Sequence, residues 1–261
     1  MCTIVLMRGV HPSIPLVVAA NRDEFYAREA SAPRVVAEAP RIVCGLDAER
    51  GGTWMGATER GFFVGVTNQR TWFPADKALR SRGDVALRAL RAGSIERVEE
   101  LLEREDAREY NAFNLVFGDA RELRVAYARG AEASAIRVEP VPHGVHVLPN
   151  DCLDSDQFPK VERSRARATA LATAAEAWPD LAHELGLLLA DHTTPDPQTV
   201  SAPPPGSPMP QEMVVQLHAT CIHTPIYGTR SATLLALDQA RVLDYRFADG
   251  SPCTTPFSRV W

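Results

Sequence analysis

The chain has 261 residues, 45% of them hydrophobic and 23% charged, and a formal net charge of −5. A globular domain of this length buries roughly three quarters of its unfolded surface, so one domain over residues 1–261 is expected. The charge leaves no broad basic footprint for nucleic acid, no apolar run nears the ~20 residues of a membrane span, and residues 3–7 are too short for a signal-peptide core; a cytoplasmic protein acting on a small molecule is expected.

Along the chain, CTIVLM and IPLVVAA are the first strand-like runs, the second ending on Asn21, Arg22, Asp23 and Glu24. GFFVGVT follows, then a helical block over 82–105 in which Ser94 can cap IERVEELLERE. FNLVFGD, ELRVAYA and GVHVLP read as strands. A second helical block over 160–190 is expected to stop near Pro179 and resume as LAHELGLLLAD. Residues 193–210 hold seven prolines and predict a long loop, either a solvated excursion or a flap over a pocket. LHATCIH, SATLLAL and RVLDYRF complete the expected strands. Strands followed by helices, twice over, predict α+β layering with mainly antiparallel sheets.

Cys2 gains a chemical role if Met1 is removed, because one residue then carries both a thiol and an α-amine. With ordinary pKa values near 8.5 and about 7.7–8.0, a fraction of the amine is neutral at physiological pH and can take the thiol proton. A cysteine beside TIVLM equally fits a small buried hydrophobe, and palmitoylation is a third reading. In NRDE the two-residue strand period puts Asn21 and Asp23 on one face and Arg22 and Glu24 on the other, although an exposed turn predicts the same letters. Asn68 and Asn150 end two further apolar runs; each can donate N–H to an oxyanion or merely cap a turn.

The start MC, AANRDEF, GGTWMG, GFFVGVTN, YNAFNLVFGD, LPND with FPKVERSR, and YGTRSATLL together resemble the NRDE family, to which transport and Golgi organization proteins belong. That family is similar in layout to N-terminal nucleophile hydrolases of the choloylglycine hydrolase and penicillin V acylase type. The resemblance implies a four-layer αββα sandwich with Cys2 at the mouth of a cleft between sheets. It also implies a cysteine amidohydrolase cleaving a linear amide: Cys2 as nucleophile, Asp23 beside its amine, Asn68 in the oxyanion hole, Asn150 orienting substrate, and Arg230 as the distal arginine. Asn21, Arg22, Trp54 and Tyr227 are expected around the substrate. One departure is Ala20 before Asn21, which leaves Arg22 as the nearby arginine.

The substrate class implied is an N-acyl amide. A non-catalytic carrier of haem or acyl lipid using the same cleft is the alternative, with His143, His146, His218 and Cys2 as conceivable axial ligands, and a degenerate scaffold is a third. No cofactor is expected. The five cysteines, Cys2, Cys44, Cys152, Cys221 and Cys253, contain no CxxC pair and predict free thiols rather than a disulfide framework or structural zinc. His218, Cys221 and His223 have metal-ligand chemistry but sit on an expected strand that would turn His218 away from Cys221, so no metal is expected there.

Overall fold

The computed structural model describes residues 2–174 and 177–261. Two antiparallel sheets face each other. The first contains β1 (Thr3–Arg8), β2 (Leu16–Phe25), β10 (Gly144–Leu148), β11 (Tyr227–Leu237), β12 (Val242–Ala248) and β13 (Ser258–Arg259), in the order β10-β1-β2-β11-β12-β13. The second runs in chain order from β3 (Ala30–Glu38) through β4 (Arg41–Asp47), β5 (Met55–Thr58), β6 (Phe63–Asn68), β7 (Phe113–Gly118) and β8 (Leu123–Ala128) to β9 (Arg137–Pro140).

Helices α1 (Arg82–Ala92) and α2 (Ile95–Glu103) lie with the second sheet, and α3 (Pro159–Thr173) and α4 (Trp178–Leu189) cover the first. The result is the expected four-layer αββα sandwich. Strand alternation explains it. Ile4, Leu6, Leu16, Val18 and Ala20 meet Met55, Phe63 and Val125 between the sheets. Val5, Met7, Val17 and Ala19 on the opposite face pack against Val161, Leu181 and Leu185 of α3 and α4. Both faces of the first sheet are apolar because both are covered.

Local signals set the helix ends. Gly93 takes φ +67° after α1, a conformation glycine reaches without strain. Ser94 then caps α2, its Oγ accepting from Arg97 N at 3.4 Å.

Three expectations are corrected. Pro179 does not end a helix; it lies in the first turn of α4, where its missing N–H has no intrahelical partner to lose. The expected helical run also crosses residues 175 and 176, which lie outside the described residues. LHATCIH is not a strand. It follows the short helix α5 (Gln211–Gln216) and satisfies its backbone in turns, with His218 N donating to Val215 O and Cys221 N to Asp191 O, leaving one isolated bridge at His223. β3, β4, β5, β9 and β13 lie outside the expected strands. β3 is a half-exposed edge strand interrupted by Pro33, and β5 and β13 are four and two residues long, too short to show a period.

Candidate functional site

β2 is central in its sheet and carries NRDE deep into it. Thr3 pairs with Asn21, so the chain enters β1 from Cys2 beside Arg22 and Asp23, while Thr229 of β11 pairs with Asp23 on the other side. Continuing the alternation, Cys2 and Arg22 fall on the inter-sheet face and Asn21 and Asp23 on the helix face. The Cys2 thiol lies 4.0 Å from Asp23 O. Met1 lies outside the described residues.

A cleft of about 630 Å³ opens from this point, in the range of small-molecule sites. Cys2, Arg22, Asp23, Trp54, Asn68, Asn150 and Tyr227 all line it. Asn150 Nδ2 donates to Asn68 O at 2.6 Å, which joins the ends of two expected strands from different sheets. Tyr227 donates its hydroxyl to Asp23 O at 3.0 Å. The Arg22 guanidinium stacks 4.6 Å from the Trp54 ring centre and lies 3.6 Å from Asp47. Trp54 can lie there because residue 45 is glycine: a Cβ at Gly45 would meet the indole at 2.2 Å.

Two expected residues stand apart. Asn21 is 2% exposed, and its Nδ2 donates to Leu189 O and Thr220 O, both at 2.8 Å, so it clamps the helix layer to β2 instead of facing the cleft. Arg230 is the extra residue of a β-bulge between Thr229 and Ser231, its guanidinium 6.0 Å from the Tyr26 ring, and it is not among the cleft-lining residues described.

Burial pushes the Cys2 thiol above its ordinary pKa; the positive N-terminus opposes this and the Asp23 carboxylate adds to it. Burial also raises Asp23, which is 2% exposed, while Lys160 and a 2.6 Å hydrogen bond from Thr229 Oγ1 oppose that rise. Lys160 itself is fully buried in α3, donates to Ala219 O at 3.3 Å, and is lowered by burial with Asp23 acting against it.

Sequence reasoning passed over Lys160, although a signal existed. Lys160 and Ser164 are one helical turn apart beside the buried Val161, Ala168 and Ala172, so the helix period puts this lysine on the inward face. Arg70, Arg82, His218 and Met213 also line the cleft. Burial, with Lys160 and Arg70 nearby, lowers His218 to about 4. The proline-rich loop reaches the same place: Pro208 and Met209 line the cleft, and Ser207 Oγ donates to Trp72 O at 2.8 Å.

Of the conceivable haem ligands, His146 is bound to Asp154 at 2.6 Å and His143 sits against Gly9, whereas His218 and Cys2 line the cleft. No helix among the described residues is long and apolar enough to cross a membrane.

The fold is similar to that of a penicillin V acylase from Agrobacterium tumefaciens, with a TM-score of 0.54 and 15% identity over 100% of this chain and 86% of that one. It is equally similar to a conjugated bile acid hydrolase from Clostridium perfringens, with a TM-score of 0.53 and 11% identity over 100% of this chain and 97% of that one. At these identities the likeness concerns the N-terminal nucleophile hydrolase fold. In sequence the chain is 28% identical over 247 residues to the human transport and Golgi organization protein 2 homolog, covering 85% of this chain and 82% of that protein. The Bos taurus homolog is 27% identical over 236 residues, covering 85% and 82%. Residues 1–247, which include β1, NRDE and both asparagine-bearing strand ends, match the family model described as transport and Golgi organisation 2, and the chain belongs to that family.

Proposed function

We propose that the protein is an N-terminal nucleophile cysteine hydrolase that cleaves a linear amide. The observation that carries this reading is the convergence of Cys2, Asp23, Asn68 and Asn150 on one cleft, from four separated stretches of chain. Removal of Met1 would free an α-amine on the residue that bears the thiol. A thiol needs an adjacent base to become a thiolate nucleophile, and the neutral amine is that base.

Sulfur attacks the amide carbonyl carbon as the thiol proton passes to the α-amine. The oxyanion is held by the Asn68 side chain and a backbone N–H. The C–N bond breaks, the leaving nitrogen takes the proton, and water hydrolyses the thioester to release the acid and restore the thiol. Asp23 orients the ammonium form of the amine, and Asn150 orients the substrate.

The lining supports an amphiphilic N-acyl compound. Trp72, Phe73, Met209 and Met213 offer apolar surface, while Arg70 and Arg82 line the same cleft. Among the described residues Arg82 makes one long hydrogen bond, 3.5 Å to Ala112 O, which leaves donors for a substrate carboxylate.

A carrier reading is favoured by one observation: His218 lines the cleft with no hydrogen-bond partner on Nδ1 among the described residues and a pKa lowered to about 4, so it is a neutral ligand at pH 7. Haem or an acyl lipid would then be cargo.

Substitution at position 2 separates the two. Native protein incubated with N-acyl amino acids or activated acyl donors should become stoichiometrically acylated on Cys2, as read by intact mass, with a chain mass lacking Met1. Cys2→Ser should react far more slowly and Cys2→Ala not at all. A Cys2 left unmodified by every donor, in a protein that binds haem or acyl-coenzyme A tightly, would establish the carrier instead.

A further inference from the structure

Away from the cleft, three loops bring together four side chains that the hydrolase reading does not use. His192 follows α4, Cys221 and His223 lie in the turn segment before β11, and Cys253 lies in the turns after β12. One nitrogen or sulfur from each lies within 4.8 Å of all the others. Cys221 Sγ is 3.8 Å from Cys253 Sγ, His223 Nε2 is 3.7 Å from Cys221 Sγ, and His223 Nε2 is 3.3 Å from Cys253 Sγ.

We propose that His192, Cys221, His223 and Cys253 form a closed Cys2His2 site for a divalent transition metal of the zinc class, which staples the three loops together. A tetrahedral ion with metal–sulfur bonds of about 2.3 Å and metal–nitrogen bonds of about 2.0–2.1 Å separates its sulfurs by about 3.8 Å and sulfur from nitrogen by about 3.5 Å. The three distances among Cys221, His223 and Cys253 lie close to these values, and His192 brings a ring nitrogen within 4.8 Å of the other three ligand atoms. Two sulfurs that far apart are not bonded, since a disulfide requires about 2.05 Å, and both cysteines are free.

A supporting contact is also present. His192 Nδ1 lies 3.1 Å from Cys221 O, so the proton belongs on Nδ1 and the lone pair on Nε2. A ligand histidine commonly has this backbone partner, which fixes its tautomer. Two thiolates and two imidazoles without a carboxylate select zinc over magnesium or calcium. Four protein ligands leave no open position, so the role is structural.

The stapled segment is the wall behind Asp23. Thr220 O receives Asn21 Nδ2, Ala219 O receives Lys160 Nζ, and Ile222 N donates to Thr229 Oγ1, whose hydroxyl donates to Asp23. The metal site is independent of the chemistry at Cys2 and stands or falls by its own measurement.

Protein isolated under reducing conditions should carry one zinc per chain by elemental analysis. Chelator-stripped protein titrated with cobalt(II) should develop a thiolate-to-metal charge-transfer band and intense tetrahedral d–d bands, saturating at one equivalent. His223→Gln and Cys253→Ser should weaken metal binding at least tenfold, whereas Cys152→Ser should bind as native does. If those variants fail to fold, alkylation of the native chain gives the answer: metal should protect Cys221 and Cys253 from iodoacetamide and leave Cys152 labelling unchanged. Below about 0.1 equivalent of bound metal with no charge-transfer band, or a Cys221–Cys253 disulfide in freshly isolated protein, overturns the site.

Discussion

Asp23 is a buried carboxylate that lines the cleft beside Cys2. Its folded pKa is raised chiefly by burial, so the native state holds a proton more tightly than the unfolded chain. The stability contributed by this group is therefore present at low pH and lost as pH rises through its folded pKa. Asp23→Asn keeps an oxygen to accept from Thr229 and removes the buried charge. The variant should melt at the same temperature as native or a few degrees higher at pH 8, converge with it near pH 4, and lose Cys2 acylation by about 100-fold. A lower melting temperature at pH 8 would show that the carboxylate is a net structural asset. The neighbouring Asn21 differs in kind, because both its donors end on main-chain carbonyls. The letters N and D alternate with R and E in the sequence, so the two faces were legible there; which face opens on solvent depends on the partner layers.

At the scale of elements, the proline-rich loop turns out to border the cleft. Seven prolines in residues 193–210 preclude a regular ladder or helix, but composition says nothing about where such a loop lies. Ser207 ties it to Trp72 O across 135 positions of sequence. Ser207→Ala should leave the urea midpoint nearly unchanged, since a partly exposed hydrogen bond contributes about 1 kcal/mol, while weakening ligand binding several-fold in a titration. Unchanged binding would reduce the loop to a passive border. Helix α1 is held by a second element-scale device. Glu105, with a side chain only 7% exposed, receives Arg80 at 2.6 Å and Arg88 at 2.7 Å, along with the Tyr110 hydroxyl. Glu105→Gln should cost about 1–2 kcal/mol in urea unfolding, because charge-assisted hydrogen bonds are lost while Arg80 keeps Glu109 and Arg88 keeps Asp84 as partners; a loss below about 0.5 kcal/mol would class the network with surface ion pairs.

For the whole molecule, the acid limb of stability should be steep. Burial opposes ionisation of Glu105, Asp47, Asp154 and Asp191, yet hydrogen bonds from Arg88, Arg28, His146 and Thr193 respectively win and hold each below its ordinary value. For such depressed groups, stability is present above the unfolded pKa and lost as pH falls through the folded one. The urea midpoint should therefore fall progressively below about pH 5, with the single group Asp23 acting in the opposite sense. A midpoint constant from pH 7 to pH 4 would contradict this assignment of partners.

The layered α+β fold, most of its central strands, the Ser94 cap of α2 and the family were legible in the sequence, because these rest on local periodicity, capping and ordered motifs. The sequence also yielded Cys2, Asp23, Asn68 and Asn150 as residues to watch, since polar side chains ending apolar runs are conspicuous. Which of them share a cleft follows from how the two sheets pack, and is not local to any one run. The tertiary structure turned Asn21 into the helix layer and set Arg230 on a bulge, because strand pairing and bulges depend on partners distant in the chain. It also brought His192 and Cys253 to Cys221 and His223. Spacing rules for metal ligands read neighbours in sequence, and these four residues become neighbours only when α4, the turn segment and the turns after β12 pack against one another.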